Sequence, residues 1–352
     1  MNQLIYKSCL LAFSLITLLG NDIIAETIDT KSGRGYRGKI TQMNANSITL
    51  TETNGTVQTI PAHNVKRITF DGEPTQLRTA RKSLAEGQYN RVEEVLSAVK
   101  TANTLQEIEK NYLIAIASAQ LALRGEGGKT ITGSRKALAT FVNEASNNKW
   151  YQYFQAIETF GDIEVASNNL EGAIAQYQVL LKSSSDEIKL LGKFKSANVY
   201  VLLGKFNDAK TIFSAVQKNQ SNDPGSVKMK ILSNIGTARC NAESGDAKSG
   251  IEAILDIIKK EDPSDMKLFG NAYNALGHCY AKNGQKKEAL LSFLHTDVLY
   301  QREAEVHAEA LFQLVKLWQE DQKPAQSLEA RKLLTNKYRN TFWGSKAQAD
   351  RL

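Results

Sequence analysis

The chain has 352 residues, of which 42% are hydrophobic, and this content is ample for a core built by apolar packing. Only three cysteines occur in this length, which excludes a disulfide scaffold. The formal net charge of +7 is spread over the whole chain and favours acidic or polyanionic partners only weakly.

Residues 1–25 have the order of a secretory signal peptide. One basic residue, Lys7, precedes an apolar run from Cys9 to Leu19, and Ala25 ends a candidate cleavage site. The run is shorter than the about 20 apolar residues of a membrane span, and no second long apolar run follows. We therefore expect an exported chain, periplasmic or associated with the cell envelope, cleaved near Ala25 and without a membrane span when mature. An uncleaved anchor is the alternative.

The segment 26–72 alternates with a period near two. Its pieces YRGKITQM, SITLTE, VQTIPA and VKRITF are rich in Val, Ile, Thr and aromatic residues, and NAN, TNG and HN separate them as turns. With residues 26–31 as a first strand, the pattern predicts five strands. A sheet this short closes into a small barrel or leaves exposed edges. The pattern resembles the small barrels of Sm-like type, which implies a small all-β barrel module.

A helical repeat replaces this pattern after Pro74. One unit carries Ala197, Tyr200, Gly204, Phe206, Ala209, Phe213 and Val216, and another carries, at identical offsets, Gly277, Tyr280, Gly284, Lys286, Ala289, Phe293 and Thr296. Small residues let two helices approach, large residues fill the space between them, and a glycine makes the turn. The chain is similar in these residues to the tetratricopeptide repeat family, which implies an α-solenoid.

The same frame fits about seven helix pairs in all, within an array over residues 73–345 followed by a tail at 346–352. The fold class predicted is therefore mainly α, a tetratricopeptide-like solenoid preceded by a small β module. The predicted turn positions are Asn168, Gly204, Gly245, Gly284 and Gln322. Phe342 and Trp343 are expected to cover the apolar end of the last unit.

The stretch RGEGGKTITGSRKAL, residues 124–138, has the look of a phosphate-binding loop. A Walker A loop requires a glycine five residues before Gly128-Lys129-Thr130, and that position is Leu123. The loop must also follow a buried strand, whereas a helical pattern precedes it here. We interpret the stretch as an enlarged turn inside the second helix pair, and expect no nucleotide and no cofactor.

The sequence also lacks the motifs of metal sites and of nucleophilic catalysis. The histidines have no paired metal-ligand spacing, and no G-x-S-x-G elbow occurs, so we expect neither a metal site nor an enzyme. Cys240 and Cys279 occupy equivalent positions of two units, where they are interpreted as small core residues. A disulfide between them is the less favoured alternative, because stacked helices lie roughly 10 Å apart.

The resemblance implies a binding surface on the concave face, into which the ninth residue of each first helix points. Counting along the repeats places Arg81, Asp162, Asn198, Arg239, His278 and Lys316 there. Asn274 and Lys282 flank His278 on the same helix face, being four residues to either side. The hypothesis is a peptide site of Asn198, Arg239, Asn274, His278, Lys282 and Lys316 that takes acidic or C-terminal segments. A merely solvated polar face is the alternative.

Two functions remain open on these observations. The first is an exported, non-catalytic scaffold or adaptor of a bacterial cell envelope, binding proteins or peptides on the concave face. The last units resemble envelope-assembly and cell-division coordinators, although residues 338–341 (YRNT) depart from that family's terminal motif. The alternative is a glycan or polyanion bound by the β module through Arg34, Arg37, Lys39, Lys66 and Arg67. Nucleic acid is not expected for an exported chain.

Overall fold

The computed structural model describes residues 25–147 and 149–350, so the predicted signal peptide lies, apart from Ala25, outside the described residues. Strands come first, at Glu26–Thr30 (β1), Gly35–Met43 (β2), Ser47–Glu52 (β3), Val57–Pro61 (β4) and Val65–Thr69 (β5). A short 3-10 turn, Ala62–Asn64, joins β4 to β5. The five predicted strands are thus present.

Helices fill the remainder of the described chain. They are Thr75–Ala85 (α1), Tyr89–Leu96 (α2), Thr104–Arg124 (α3), Ile131–Asn147 (α4), Tyr153–Ala166 (α5), Leu170–Val179 (α6), Asp186–Leu202 (α7) and Phe206–Gln217 (α8). They continue with Pro224–Glu243 (α9), Ala247–Lys260 (α10), Met266–Lys282 (α11), Lys286–Leu299 (α12), Ala304–Glu320 (α13), Pro324–Lys337 (α14) and Phe342–Ala349 (α15). None of the helices in residues 25–350, with position 148 left aside, is both long and apolar enough to cross a membrane.

The strands form one antiparallel sheet in the order β4-β3-β2-β1-β5. Its alternation places Ile28, Ile48, Leu50, Ile60 and Ile68 in the core. The register shifts between Asp29 and Thr30 in the β1–β5 pair and between Ile40 and Gln42 in the β2–β3 pair. The hydrogen-bonded order leaves β4 and β5 as its edges, so a sheet is shown and the predicted barrel closure is not.

The sheet and the first helices share one apolar core. The ring of Phe70, just after β5, lies 6.1 Å from that of Trp150 before α5. The side-chain amide of Gln106 on α3 donates to the carbonyl of Asp71 at 3.1 Å. The turn between β2 and β3 also contacts the connection between α6 and α7, where the backbone amide of Ser184 donates to Asn46 Oδ1 at 2.7 Å. The β module is therefore folded back onto the helices.

Close approach of paired helices depends on the small residues that mark the repeat. A Cβ on Gly277 of α11 would lie 2.7 Å from the ring of Phe293 on α12. Gly161 of α5 is in the same way covered by the ring of Tyr177 on α6. Each aromatic ring therefore fills the space that a missing side chain leaves, as the repeat pattern predicts.

The turns inside the pairs are made by residues with left-handed backbone. The φ angles are 58° at Asn168, 71° at Gly204, 100° at Gly245, 77° at Gly284 and 55° at Gln322. These are the five turn positions predicted from the sequence, and their prediction is confirmed. Glycine adopts this conformation at no steric cost, and asparagine tolerates it better than glutamine does.

The C-terminal end returns to the N-terminal half of the array. Phe342 and Trp343 of α15 are buried in a cluster that also holds Phe154 and Ile157 of α5. The side-chain amide of Asn340 donates to the carbonyl of Ala122 near the end of α3 at 2.8 Å. The expected cover by Phe342 and Trp343 is thus present. Residues 346–349, placed in a tail by the sequence, belong to α15, because its buried face continues to Ala347.

Candidate functional site

The first helices of the pairs, α1, α3, α5, α7, α9, α11 and α13, carry the side chains that face the inside of the array; we call this surface the inner face. Its N-terminal part encloses a cavity of about 950 Å³ between the sheet and α1, α3 and α5. The side chains used below that line it are Asp29, Lys66, Arg67, Arg78, Arg81, Lys82, Glu109, Tyr112, Tyr151, Gln155, Glu158 and Asp162. A space of this size accommodates a short peptide segment.

One buried ion cluster forms the wall of this cavity between α1 and α3. The guanidinium of Arg81 donates from Nε to Glu109 Oε1 at 2.6 Å and from Nη2 to Glu73 Oε2 at 2.9 Å. Burial raises the pKa of Glu109, and the positive charge of Arg81 opposes that shift. Although burial acts against the charged guanidinium, Glu109 and Glu73 raise the pKa of Arg81, which stays protonated.

A second cluster links α5 to α7. The ammonium of Lys195 lies 2.6 Å from Asp162 Oδ1 and 2.9 Å from Glu158 Oε1. The hydroxyl of Tyr177 donates to Asp162 at 2.6 Å. Burial works against the charged amine, but the two carboxylates raise the pKa of Lys195 above its ordinary value. Again one cation is held between two carboxylates.

The C-terminal part of the inner face converges on Glu309 of α13. Arg239 Nη1 lies 2.7 Å from Glu309 Oε1, and His278 Nε2 lies 3.1 Å from the same oxygen. The amide of Asn274 donates to the carbonyl of Val306 at 2.8 Å. Burial alone raises the pKa of Glu309, yet Arg239 and the hydrogen bond from His278 lower it to about 2. Burial and the charge of Arg239 lower the pKa of His278.

Asn198 lines, with Arg239 and Glu309, a cavity of only about 30 Å³. Four residues of the predicted peptide site, Asn198, Arg239, Asn274 and His278, are therefore brought together. The other two are apart from them: Lys282 pairs with Glu243 at 2.7 Å, and Lys316 lies over the ring of Phe312 at 5.8 Å. The peptide-site hypothesis remains a prediction.

Sequence reasoning did not single out Glu309, although a signal for it existed. The residue stands seven positions, or two helical turns, before Lys316 on α13, and so on the same helix face. The acidic inward positions of α3 and α5, Glu109 and Glu158, were missed in the same way. Each lies on a first helix and pairs with a cation from a neighbouring first helix.

The basic residues of the β module are divided between two places. Lys66 and Arg67 line the large cavity, where Arg67 pairs with Asp29 of β1. Arg37 and Lys39 are exposed on β2. The guanidinium of Arg34 lies over the ring of Tyr36 at 4.7 Å. By the strand register, Arg37, Lys39 and Arg67 share one face of the sheet, and of these three only Arg67 lines the cavity.

The glycine-rich stretch lies in the connection between α3 and α4, as the sequence predicts. Gly125 ends α3 in the left-handed conformation, and the ammonium of Lys129 lies 2.7 Å from Glu93 of α2. Thr130 accepts a hydrogen bond from the amide of Gly133 in the first turn of α4. The lysine that would contact a phosphate is thus engaged in an ion pair.

The two cysteines of the helical array are free and buried. Burial raises the pKa of the Cys240 thiol to about 11 and that of Cys279 to about 12, so both are protonated at neutral pH. They are core residues, and the less favoured disulfide is not formed. Within residues 25–147 and 149–350, no three or more His, Cys, Asp and Glu side chains are grouped so that they could hold a metal ion.

No protein-family model matches the chain, and no curated protein matches it in sequence. Solved structures do match its fold. A tetratricopeptide repeat protein from Parabacteroides merdae is 14% identical, with a TM-score of 0.51 over 75% of this chain and 92% of that one. A Rap protein complexed with Competence and Sporulation Factor is 13% identical, with a TM-score of 0.50 over 79% and 78% of the chains.

The apo form of the quorum sensor NprR from B. thuringiensis is similar to the same degree, with a TM-score of 0.50 at 9% identity over 74% of this chain and 86% of that one. These likenesses establish a tetratricopeptide-like fold for the helical array. The predicted mainly α fold class is thereby confirmed at this level.

Proposed function

We propose that the protein is a non-catalytic scaffold that binds a partner peptide, or an extended segment of a partner protein, in the large cavity of its inner face. The observation that carries this proposal is the cavity itself: about 950 Å³ open beside α1, α3 and α5, against about 30 Å³ in the C-terminal part. Residues from the sheet and from several helices line the space, which gives a partner many separate contacts.

The fold supports a peptide as the partner. Among proteins of this fold, the Rap protein is known in complex with Competence and Sporulation Factor, and NprR is described as a quorum sensor. The inner face of such arrays is long, concave and built from regularly spaced side chains, which suits an extended chain. We carry this mode of binding over to the present protein as part of the proposal.

We further propose that the protein acts outside the cytoplasm, as an adaptor of the cell envelope. The support is the signal-like order of residues 1–25, together with the resemblance of the last units to envelope-assembly coordinators. The Sm-like assignment of the β module also belongs to this proposal. It is supported by the short 3-10 turn Ala62–Asn64, which directly connects β4 to β5, the two edge strands of the sheet.

Polymer binding by the β module is the second candidate. It is favoured by the exposure of Arg37 and Lys39 on β2, neither of which lines the cavity. A polyanion bound there would dissociate steeply with added salt, because each neutralised charge releases counterions. A peptide held in the cavity would respond less, since part of its contact is apolar.

Site-specific photocrosslinking in the producing cell tests the main proposal. A benzophenone side chain at Gln155, exposed in the cavity, is expected to yield a discrete adduct with a partner. The matched control is Gln178, exposed on α6 outside the cavity, and it is expected to yield none. Equal adducts at both positions, or none at Gln155, would reject the cavity as the binding surface. The N-terminal sequence of the same purified protein tests cleavage near Ala25.

A further inference from the structure

We propose that the cavity receives a cationic side chain, a lysine or arginine, from the bound peptide, and that Glu109, Glu158 and Asp162 receive it. This inference rests on the proposed function and specifies the chemistry of the partner. It is the reverse of the acidic partner that the basic positions of the sequence predict. The argument depends on the charge, exposure and hydrogen bonding of the groups that line the cavity.

Charge is the first step. In the cluster of Lys195 one ammonium lies between two carboxylates, those of Glu158 and Asp162, so the group carries one excess negative charge when both are ionised. The cluster of Arg81 differs, because Arg78 Nε also lies 3.7 Å from Glu73 Oε1 and adds a second cation to its two carboxyl groups. Both clusters border the same cavity. An added cation would complete the pairing that the cluster of Lys195 lacks.

The second step is the exposure of the side chains in the cluster of Lys195, because exposure decides which of them a ligand contacts. The side chains of Glu158 and Asp162 are 30% and 35% exposed, whereas that of Lys195 is 13% exposed. Glu158 and Asp162 line the cavity, and the ammonium lies behind them. A ligand entering the cavity therefore meets carboxylate oxygens first.

An unused acceptor is the third and independent step. The side chain of Glu109 is fully buried, its Oε1 accepts from Arg81, and hydrogen bonding from Tyr151 also acts on the carboxyl group. Within the described residues, Oε2 has no donor at full hydrogen-bond distance. A buried carboxylate oxygen without a donor is costly. The residue lines the cavity but is closed to solvent, so a ligand donor reaches Oε2 once the side chains around it shift. Lysine and arginine side chains supply such donors together with a positive charge.

Aromatic rings also line the cavity. Tyr112 and Tyr151 line the cavity, and burial and the negative charge of Glu109 raise the pKa of both hydroxyls well above 10. The protein already places its own cations over rings nearby: Arg81 lies 5.7 Å from the centre of Phe70 and Lys195 lies 5.5 Å from that of Tyr177. A ligand cation would find the same combination of carboxylate and ring.

The rim of the cavity adds a restriction on the partner sequence. Lys66, Arg67, Arg78 and Lys82 also line the space, and all four are exposed. A peptide with several basic residues would meet these charges on entering. The complementary ligand therefore carries one basic residue with acidic or uncharged neighbours.

The experiment is a selection of random decapeptides on phage against the mature full-length chain, followed by fluorescence anisotropy with the selected peptides. Selected sequences are expected to share one lysine or arginine among acidic or uncharged residues. Replacing that residue by norleucine is expected to weaken binding at least tenfold. Glu158→Gln is expected to weaken it by a similar factor, since Asp162 still holds Lys195 in that variant.

Glu252→Gln is the matched control, because Glu252 is exposed on α10 outside the cavity. It is expected to bind the selected peptides like the native chain, and thermal melts of both variants verify folding. Selected peptides that lack a basic residue, or that bind Glu158→Gln unchanged, would overturn the cationic site while leaving the peptide-binding function in place. A selection that enriches no peptide would overturn both.

Discussion

The inward-facing positions of the first helices have different roles in the two parts of the inner face. Beside α1, α3 and α5, the inward side chains border a cavity of about 950 Å³, and two of their carboxylates remain partly exposed. Beside α9, α11 and α13, the inward side chains close on Glu309 and leave about 30 Å³. The surface that resembles a ladder of binding residues in the sequence is engaged in internal pairing.

In the C-terminal part, inward side chains of three successive first helices meet at one carboxylate. Arg239, Asn274 and His278 lie on α9 and α11, and a single carboxylate from α13 contacts all three. In the N-terminal part the sheet stands beside the helices instead and holds the space open. Repeat position therefore indicates where a side chain points, whereas the neighbouring units decide whether it is available to a partner.

The largest effect is expected from breaking the C-terminal pairing. Glu309→Ala leaves Arg239 as a buried cation without its partner, which costs about 3–5 kcal/mol of unfolding free energy. Chemical denaturation measures it. Glu309→Gln keeps hydrogen-bonding capacity and is expected to cost less. A loss under about 1 kcal/mol for the alanine variant would show that the ion pair of Arg239 and Glu309 contributes no more to stability than an exposed ion pair does.

The contact between the two ends of the array comes next. Trp343→Ala removes a buried ring that packs on Phe312 with centroids 5.1 Å apart, at a cost of about 3 kcal/mol. Because the same cluster contains Phe154 of α5, hydrogen exchange is expected to quicken in α5 as well as in α13 and α14. Faster exchange confined to the C-terminal helices would contradict a coupling of the two regions.

Acid is expected to weaken the C-terminal part first. The pKa of His278 is below its ordinary 6.5, so the unfolded chain binds that proton more tightly and the contribution of this residue to stability falls as the pH drops below 6.5. Glu305 of α13, whose pKa burial raises to about 8, acts in the opposite direction. One such proton contributes at most about 1.4 kcal/mol per pH unit. Glu309, with a pKa of about 2, adds a loss as the pH falls from 4.5 towards 2.

Denaturation midpoints across this range measure the dependence, and His278→Asn is expected to flatten it between pH 6.5 and 5. A slope that is unchanged in this variant would place the titrating group elsewhere.

The smallest effect concerns a turn. Gln322 has a φ of 55°, which an L-residue with a long side chain adopts at a cost. Gln322→Gly is expected to stabilise the chain by up to about 1 kcal/mol. Gly204→Ala, at the equivalent turn with a φ of 71°, is the opposite control and is expected to destabilise it by a similar amount. Thermal melts of both suffice, and a loss of stability in the glycine variant would refute the expectation.

Local features of the fold could be predicted from the sequence because they repeat. The five turn residues recur 36 to 41 residues apart, and Gly161 and Gly277 each stand seven positions before a turn residue, so each unit supports the interpretation of the next. The five strands were predictable from alternation and turn residues in the same way. The export signal and the acidic-peptide site stay predictions.

Long-range features of the candidate site could not be predicted, because they depend on how the units curve. The pairing of Arg81 with Glu109 joins neighbouring units, and that of Arg239 with Glu309 passes over α11. Neither spacing recurs along the chain. The position of the sheet beside α1, α3 and α5 is likewise set by tertiary packing, because the residue alternation within a strand does not indicate which helices the sheet contacts.

The hydrogen bond from Asn340 to Ala122 joins residues 218 positions apart. In a linear solenoid each repeat touches only its neighbours, so the terminal units fray and melting proceeds stepwise from the ends. Here the final helix and the residue Asn340 before it contact α3 and α5 as well as α13 and α14, so the two ends of the array are joined. Deleting one whole internal unit would shift the two ends out of register with each other. We therefore expect the described chain to melt in one cooperative transition, and to tolerate changes in the number of its repeats poorly.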